Sequence, residues 1–142
     1  MRAMTLLAFD FGLKRIGVAV GQTLTGTANP LQTIAVRRDI PDWPAIARLI
    51  ETWQPNALVV GMPLNMDGTE QQMTRCAKRF GRQLEGRFGL PVHLVDERLS
   101  THEAKTRLSS VGRGEAEADP VAAQVILESW LENAVRATDR RA

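Results

Sequence analysis

The chain has one cysteine, Cys76, in 142 residues. No intramolecular disulfide can form, and a reducing compartment is expected. It has only two histidines, and no His/Cys set carries zinc spacing. Long hydrophobic runs are missing. Leu6-Leu7-Ala8-Phe9 stops at Asp10, too short for a signal peptide or a membrane span. These absences point to the cytoplasm and to no membrane partner. A large net charge is missing too: the formal value is +2, so no broad nucleic-acid field can be read from it. Lysine is scarce, three residues against fifteen arginines. Arginine suits bidentate phosphate contacts, although genomic composition produces the same bias.

What is present is ordinary for a soluble globular protein: 44% apolar and 24% charged residues. The length fits one domain, residues 1–142, able to bury a real core. No repeat, linker or low-complexity segment divides it, and the polar tail 138–142 is expected to fray.

Residues 4–10 and 16–21 read as strands joined by a turn at Gly12, a hairpin pattern. The Thr-, Gly- and Asn-rich stretch 21–30 reads as a loop, and 31–37 alternates as a third strand. Asp42 can cap a helix with Pro44 in its first turn. Ile46, Leu49, Ile50 and Trp53 form its apolar stripe. Ala57-Leu58-Val59-Val60 is wholly apolar, as in a buried parallel strand. A loop over 61–68 follows, with Asp67 and Glu70 spaced as a capping box. The next helix runs to about Arg87 with Met73, Cys76, Ala77, Phe80, Leu84 and Phe88 on one face. Residues 91–95 read as a fifth strand. A short helix over 100–108, a flexible stretch over 111–118 and a last helix opening at Asp119-Pro120 complete the order. The sum is an α/β fold: a mixed five-stranded sheet flanked by helices.

Three acids fall at element ends: Asp10 after the first strand, Glu97 after the fifth, Asp119 before the last helix. In the expected strand arrangement the first two share a sheet edge, and a packed helix can bring the third there. Converging carboxylates raise one another's pKa values unless a cation neutralises them. Oxygen donors of this kind suit Mg²⁺ or Mn²⁺, and such ions support phosphodiester hydrolysis. Simpler roles stand beside this one. Asp119-Pro120 is an ordinary N-cap with N1 proline, Glu97 can be a solvated acid paired with Arg98, and polar residues commonly end strands as Asp10 does.

Four segments in register resemble the YqgF (RuvX) family, which is similar to Holliday-junction resolvases and associated with nuclease processing of pre-16S rRNA. They are Asp10-Phe11-Gly12-Leu13-Lys14-Arg15-Ile16-Gly17-Val18-Ala19-Val20; Val60-Gly61-Met62-Pro63-Leu64-Asn65-Met66-Asp67-Gly68-Thr69-Glu70; Val95-Asp96-Glu97-Arg98-Leu99-Ser100-Thr101; and Asp119 with Ala122-Ala123. The resemblance spans nearly the whole chain. It implies an RNase H-like fold, a metal-dependent nuclease, and a catalytic, metal-binding site of Asp10, Glu97 and Asp119. It implies substrate contacts from Lys14, Arg15, Asn65 and Arg98, and a structured RNA (pre-rRNA) or branched DNA as partner. A DNA resolvase, a non-catalytic nucleic-acid- or ribosome-binding module, and a nucleotide-phosphate-binding protein are the alternatives. Of the adjacent acids Asp96 and Glu97 only one should face a metal, because strand neighbours point to opposite faces. Two features depart from the family: Gln22 stands where many relatives carry an Asp, and Glu115 and Glu117 accompany Arg113 where the family is often Lys-rich.

Other signals read as structural. Asp10-Phe11-Gly12 spells a kinase tripeptide without the other kinase loops. Cys76 lacks a base partner, His93 lacks a nucleophile, and Trp43, Trp53 and Trp130 fall near helix stripes, where packing outweighs base stacking.

Overall fold

The computed structural model describes residues 3–97 and 119–141, with side chains of the second stretch as far as Ala134. The elements are β1 (Thr5–Asp10), β2 (Arg15–Gln22), β3 (Thr27–Arg37), β4 (Ile40–Pro41), α1 (Trp43–Trp53), β5 (Ala57–Met62), α2 (Gln72–Phe88), β6 (Val92–Asp96) and α3 (Pro120–Arg141). The strands form one six-stranded sheet in the order β4-β3-β2-β1-β5-β6. β1, β2, β3 and β4 run antiparallel in sequence, and β5 and β6 add in parallel beside β1. The sheet is one short strand wider than the five read from sequence, because β4 has only two residues and carries no periodic signal.

β1 and β5 lie in the middle of the sheet with helices on both sides, which is why each reads as an unbroken apolar run. Leu7, Phe9, Leu58 and Val60 face α1 and α2, joined there by Ile46, Leu49, Ala77, Phe80 and Leu84. Leu6, Ala8, Ala57 and Val59 face α3, packing on Ile126, Leu127 and Leu131. The period of two thus assigns each residue of the central strands to a layer. Phe80 is the hub of the first layer: its ring lies 5.6 Å from Phe9, 5.1 Å from Phe11 and 5.7 Å from Trp43.

Most of the stretch read as a loop before Pro30 is strand. β3 begins at Thr27, and the turn from β2 is closed by Gly26 at φ 67°, with its N–H donating to the Gln22 carbonyl at 3.0 Å. The register slips between Val18 and Ala19, whose partners are Gln32 and Pro30. This bulge leaves Leu31 over and reverses the in/out alternation. Ala28 therefore faces α3 while Ile34 and Val36 face the other layer.

α1 starts as expected: Asp42 accepts from the Ala45 N–H at 3.2 Å, and Gln54 ends the helix in a left-handed conformation, φ 48°. α2 does not start at Asp67. Its N-cap is Gln71, whose N–H donates to Thr74 Oγ1 at 3.1 Å. Asp67 instead accepts from the N–H and hydroxyl of Thr69, at 2.9 and 2.6 Å, inside the loop. Cys76 is half-buried at the margin of α2's apolar face, and Trp53 is exposed. The helix read over 100–108 and the stretch 111–118 lie outside the described residues. Among the described residues no helix is long and apolar enough to cross a membrane.

Candidate active site

β1, β5 and β6 are parallel, so their carboxyl ends share one edge of the sheet. Ligand sites of open α/β sheets form at that edge. Asp10 closes β1 there, on the same face as Leu6 and Ala8, which is the face α3 covers. Glu97 follows β6, with its Oε1 beside Ile126 Cδ1 over the α-carbon of Gly61. Asp119 stands at the start of α3, 3% exposed. Sheet order and helix packing therefore gather the three acids from opposite ends of the chain.

Asp10 and Asp119 are linked directly. The backbone N–H of Asp119 donates to Asp10 Oδ2 at 3.2 Å. Asp119's own carboxylate accepts from the Ala122 N–H at 2.9 Å, so it caps α3 as its sequence context suggests. The positive end of the helix dipole is thereby aimed at Asp10.

That donor does not offset the surroundings. Burial, followed by the charge of Glu97, pushes the Asp10 carboxyl well above the ordinary carboxylate range; Asp119 adds to the rise, and its N–H opposes it. Burial, then the charge of Asp96, pushes Glu97 up to about 7. A half-buried pair of acids in this state holds protons at the pH where free carboxylates have lost them, or else takes a cation. Among the described residues no three Asp, Glu, His or Cys side chains form a ready-made metal-binding group. The donors fit a hard divalent cation in chemistry, being carboxylate oxygens only.

Asp96 is set apart by strand alternation. Val95 packs on the α3 side, and Val92 packs on the α1–α2 side with the residues at even positions. Asp96 falls on that second face, away from Asp10.

Three glycines make room for α3, and none was picked out as a site residue from sequence. Gly17 pairs with Asp10 across the β1–β2 ladder. A β-carbon on Gly17 would run into the backbone of Asp119, 2.8 Å from its Cα and closer to its carbonyl. One on Gly21 would lie 2.7 Å from Leu127 Cδ2, and one on Gly61 would meet Ile126 Cδ1 and the Glu97 carboxylate. Glycine inside a strand marks such a close approach, and that was the available signal.

The remaining expected contacts divide. Lys14 and Arg15 are exposed in the β1–β2 turn and at the start of β2, at the Asp10 edge. Phe11, half-buried on Phe80, ties down the turn between them and Asp10. Asn65 is exposed in the loop after β5, and its amide donates to Thr69 Oγ1 at 3.0 Å, which holds that loop's shape. The loop is anchored on α2 by the Thr74 hydroxyl and the Gln71 amide, both donating to the Pro63 carbonyl. Arg98 lies outside the described residues.

Residues 4–133 match the profile of RuvX, described as Holliday junction resolvase. The chain belongs to the RuvX family. Its RuvX relatives include a protein of Saccharophagus degradans, 54% identical over 92% of this chain and 94% of its own length. Another, from Escherichia coli, is 53% identical over 90% of this chain and 96% of its own. Each is named "Putative pre-16S rRNA nuclease". Among solved structures, RuvC of T. thermophilus in complex with Holliday junction substrate is similar with a TM-score of 0.54. It is 15% identical over 93% of this chain and 96% of RuvC. The Fowlpox virus resolvase in complex with Holliday junction DNA gives 0.56 at 11% identity, over 93% and 99%. At such identities the likeness is one of fold, and the fold of this RuvX chain is RNase H-like.

Proposed function

We propose that this RuvX chain is a metal-dependent nuclease that hydrolyses phosphodiester bonds in structured RNA, acting in the cytoplasm on the 5′ end of pre-16S rRNA. The observation that carries the reading is Asp10: a carboxylate closing the central strand, half-buried, repelled by Glu97, and fed by the N–H of Asp119. The names of relatives more than 50% identical over nearly the full length support the choice of RNA.

In this reading Asp10, Glu97 and Asp119 hold Mg²⁺ or Mn²⁺, and exchange of protons for the ion relieves the repulsion that raises the acids' pKa values. When bound, the ion supplies activation of the attacking water and stabilisation of the leaving oxygen. The chain's own residues do the rest. The N–H of Asp119 fixes the orientation of the Asp10 carboxylate. Lys14 and Arg15 grip the phosphates beside the cut, and by resemblance Arg98 does the same. Asn65 and its loop form the rim beyond β5. No side chain is needed as nucleophile.

A second reading, resolution of branched DNA, is favoured by the family description and by the fold shared with junction resolvases. One experiment separates the two. The protein is incubated with a 5′-extended 16S precursor and with a four-way DNA junction, each with and without Mn²⁺, and Asp10→Asn is run in parallel. Mn²⁺-dependent cleavage of the precursor, absent in Asp10→Asn, is expected. Cleavage of the junction alone selects the second reading, and binding without cleavage of either would leave a binding module.

A further inference from the structure

Two arginines outside the expected site share its edge. Arg37 ends β3, and Arg38 is the first residue of the two-residue connection to β4. The register puts them beside Lys14 and Arg15: Asp10 pairs with Gly17, Arg15 pairs with Ala35, and the Val36 N–H donates to the Lys14 carbonyl at 3.0 Å. Faces follow by alternation. Ile16, Val18, Ile34 and Val36 fill the α1–α2 layer, so Arg15 and Arg37 belong to the face of Asp10. Lys14, Arg15, Arg37 and Arg38 are all exposed.

Arg38 adds an independent observation. Its φ is 52° and that of Asp39 is 63°. Both central residues of the hairpin are thus left-handed, as in a type I′ turn, where Asn-Gly, Asp-Gly and Gly-Gly are favoured. Arginine at the first of these positions is strained relative to asparagine. Among the described residues neither Arg37 nor Arg38 has a carboxylate partner. A strained, exposed cation next to an acidic site is a sign of function rather than of fold maintenance.

We infer that Arg37 and Arg38 bind the phosphate backbone of the substrate, extending the Lys14–Arg15 contacts into one cationic rim beside the acids. The inference rests on the nuclease reading above. β3 lies two strand spacings from β1, roughly 10 Å. That offset places the contacts at phosphates flanking the cut rather than at the scissile one. The contacts are to backbone and carry no sequence preference.

The test is binding of the full-length protein to a fluorescent 5′-extended 16S precursor fragment, in EDTA, across a salt series, for the parent, Arg37→Gln, Arg38→Asn and Arg37→Lys. Each neutral variant is expected to lose affinity roughly five- to eightfold near 0.1 M salt. The slope of log K against log salt should fall by about 0.7–0.9 per lost contact. Arg38→Asn should at the same time gain about 2–4 °C in Tm through relief of the turn, which separates lost contact from lost fold. Arg37→Lys should restore most of the affinity. Parental affinity and slope in both neutral variants would overturn the inference while leaving the nuclease reading intact. A parent that binds neither the precursor nor a four-way junction, and cuts neither with Mn²⁺ present, would overturn both.

Discussion

Gly17→Ala is a one-carbon change that should disable the site. The added β-carbon would sit 2.8 Å from Asp119 Cα and nearer still to the Asp119 carbonyl. These are backbone atoms, with no rotamer to move aside. The first turn of α3 must withdraw by roughly 1 Å to restore ordinary contact. Overpacking of that kind costs about 1–3 kcal/mol. Reduced freedom of the unfolded chain returns about 0.4–1 kcal/mol. The net loss of about 1–2 kcal/mol lowers Tm by roughly 3–8 °C for a chain of this size. The functional effect is larger. The Asp119 N–H to Asp10 bond, already 3.2 Å long, stretches past the hydrogen-bonding range. A displacement of ~1 Å in a catalytic group costs on the order of a hundredfold in rate. Thermal melts and single-turnover cleavage of the 5′-extended precursor, with Mn²⁺, measure the two effects. Parental Tm together with parental rate would refute the claim that the missing side chain at Gly17 sets the distance between α3 and Asp10.

Gly61→Ala should behave differently. Its β-carbon meets side-chain tips, Glu97 Oε1 and Ile126 Cδ1, which can move, so Tm should change little while cleavage falls at least tenfold; equal losses of both would contradict this. Stability of the metal-free protein should depend on pH in a defined direction. Glu97 has a folded-state pKa raised from 4.5 to about 7 by burial and then by Asp96, and Asp10 is raised too, by burial and then Glu97. Between the unfolded and folded values the native state binds more protons, so stability is greatest below about pH 4.5 and falls as pH climbs to about 7. For Glu97 the loss is of order 3 kcal/mol. Urea unfolding in EDTA at pH 5 and 7.5 should show this loss, and Glu97→Gln should flatten it; a parent more stable at 7.5 would contradict the assignment.

The sequence was most legible where burial is complete. β1 and β5 announce themselves because both faces are covered, and α1 because Asp42, Pro44 and the Ile46–Leu49 spacing agree. Reading failed where one residue altered the pattern. The bulge at Leu31 reverses the alternation of β3, so no single period of two runs through 27–37, and Thr and Asn in that stretch suggested a loop. Asp67 and Glu70 have capping-box spacing, but the Leu64–Glu70 bridge closes a small loop first and delays α2 to Gln72. The acids at the site were visible as element ends, and strand alternation said that only one of Asp96 and Glu97 should face it; which one became clear only with Val95 packed on the α3 side. Gly17 and Gly61 stayed hidden as site residues because their contribution is an absence, legible only once α3 is seen lying on them. Arg37 and Arg38 stayed hidden because their nearness to Asp10 depends on the β2–β3 register.

The most direct measurement is cleavage of the 5′-extended 16S precursor by Asp10→Asn beside the parent, with Mg²⁺ or Mn²⁺ present. A variant of parental fold by circular dichroism that leaves the precursor intact, while the parent cuts it only with the metal, is the predicted result. A variant that cuts as fast as the parent would contradict the central claim that the carboxylate at the end of β1 is the heart of the site.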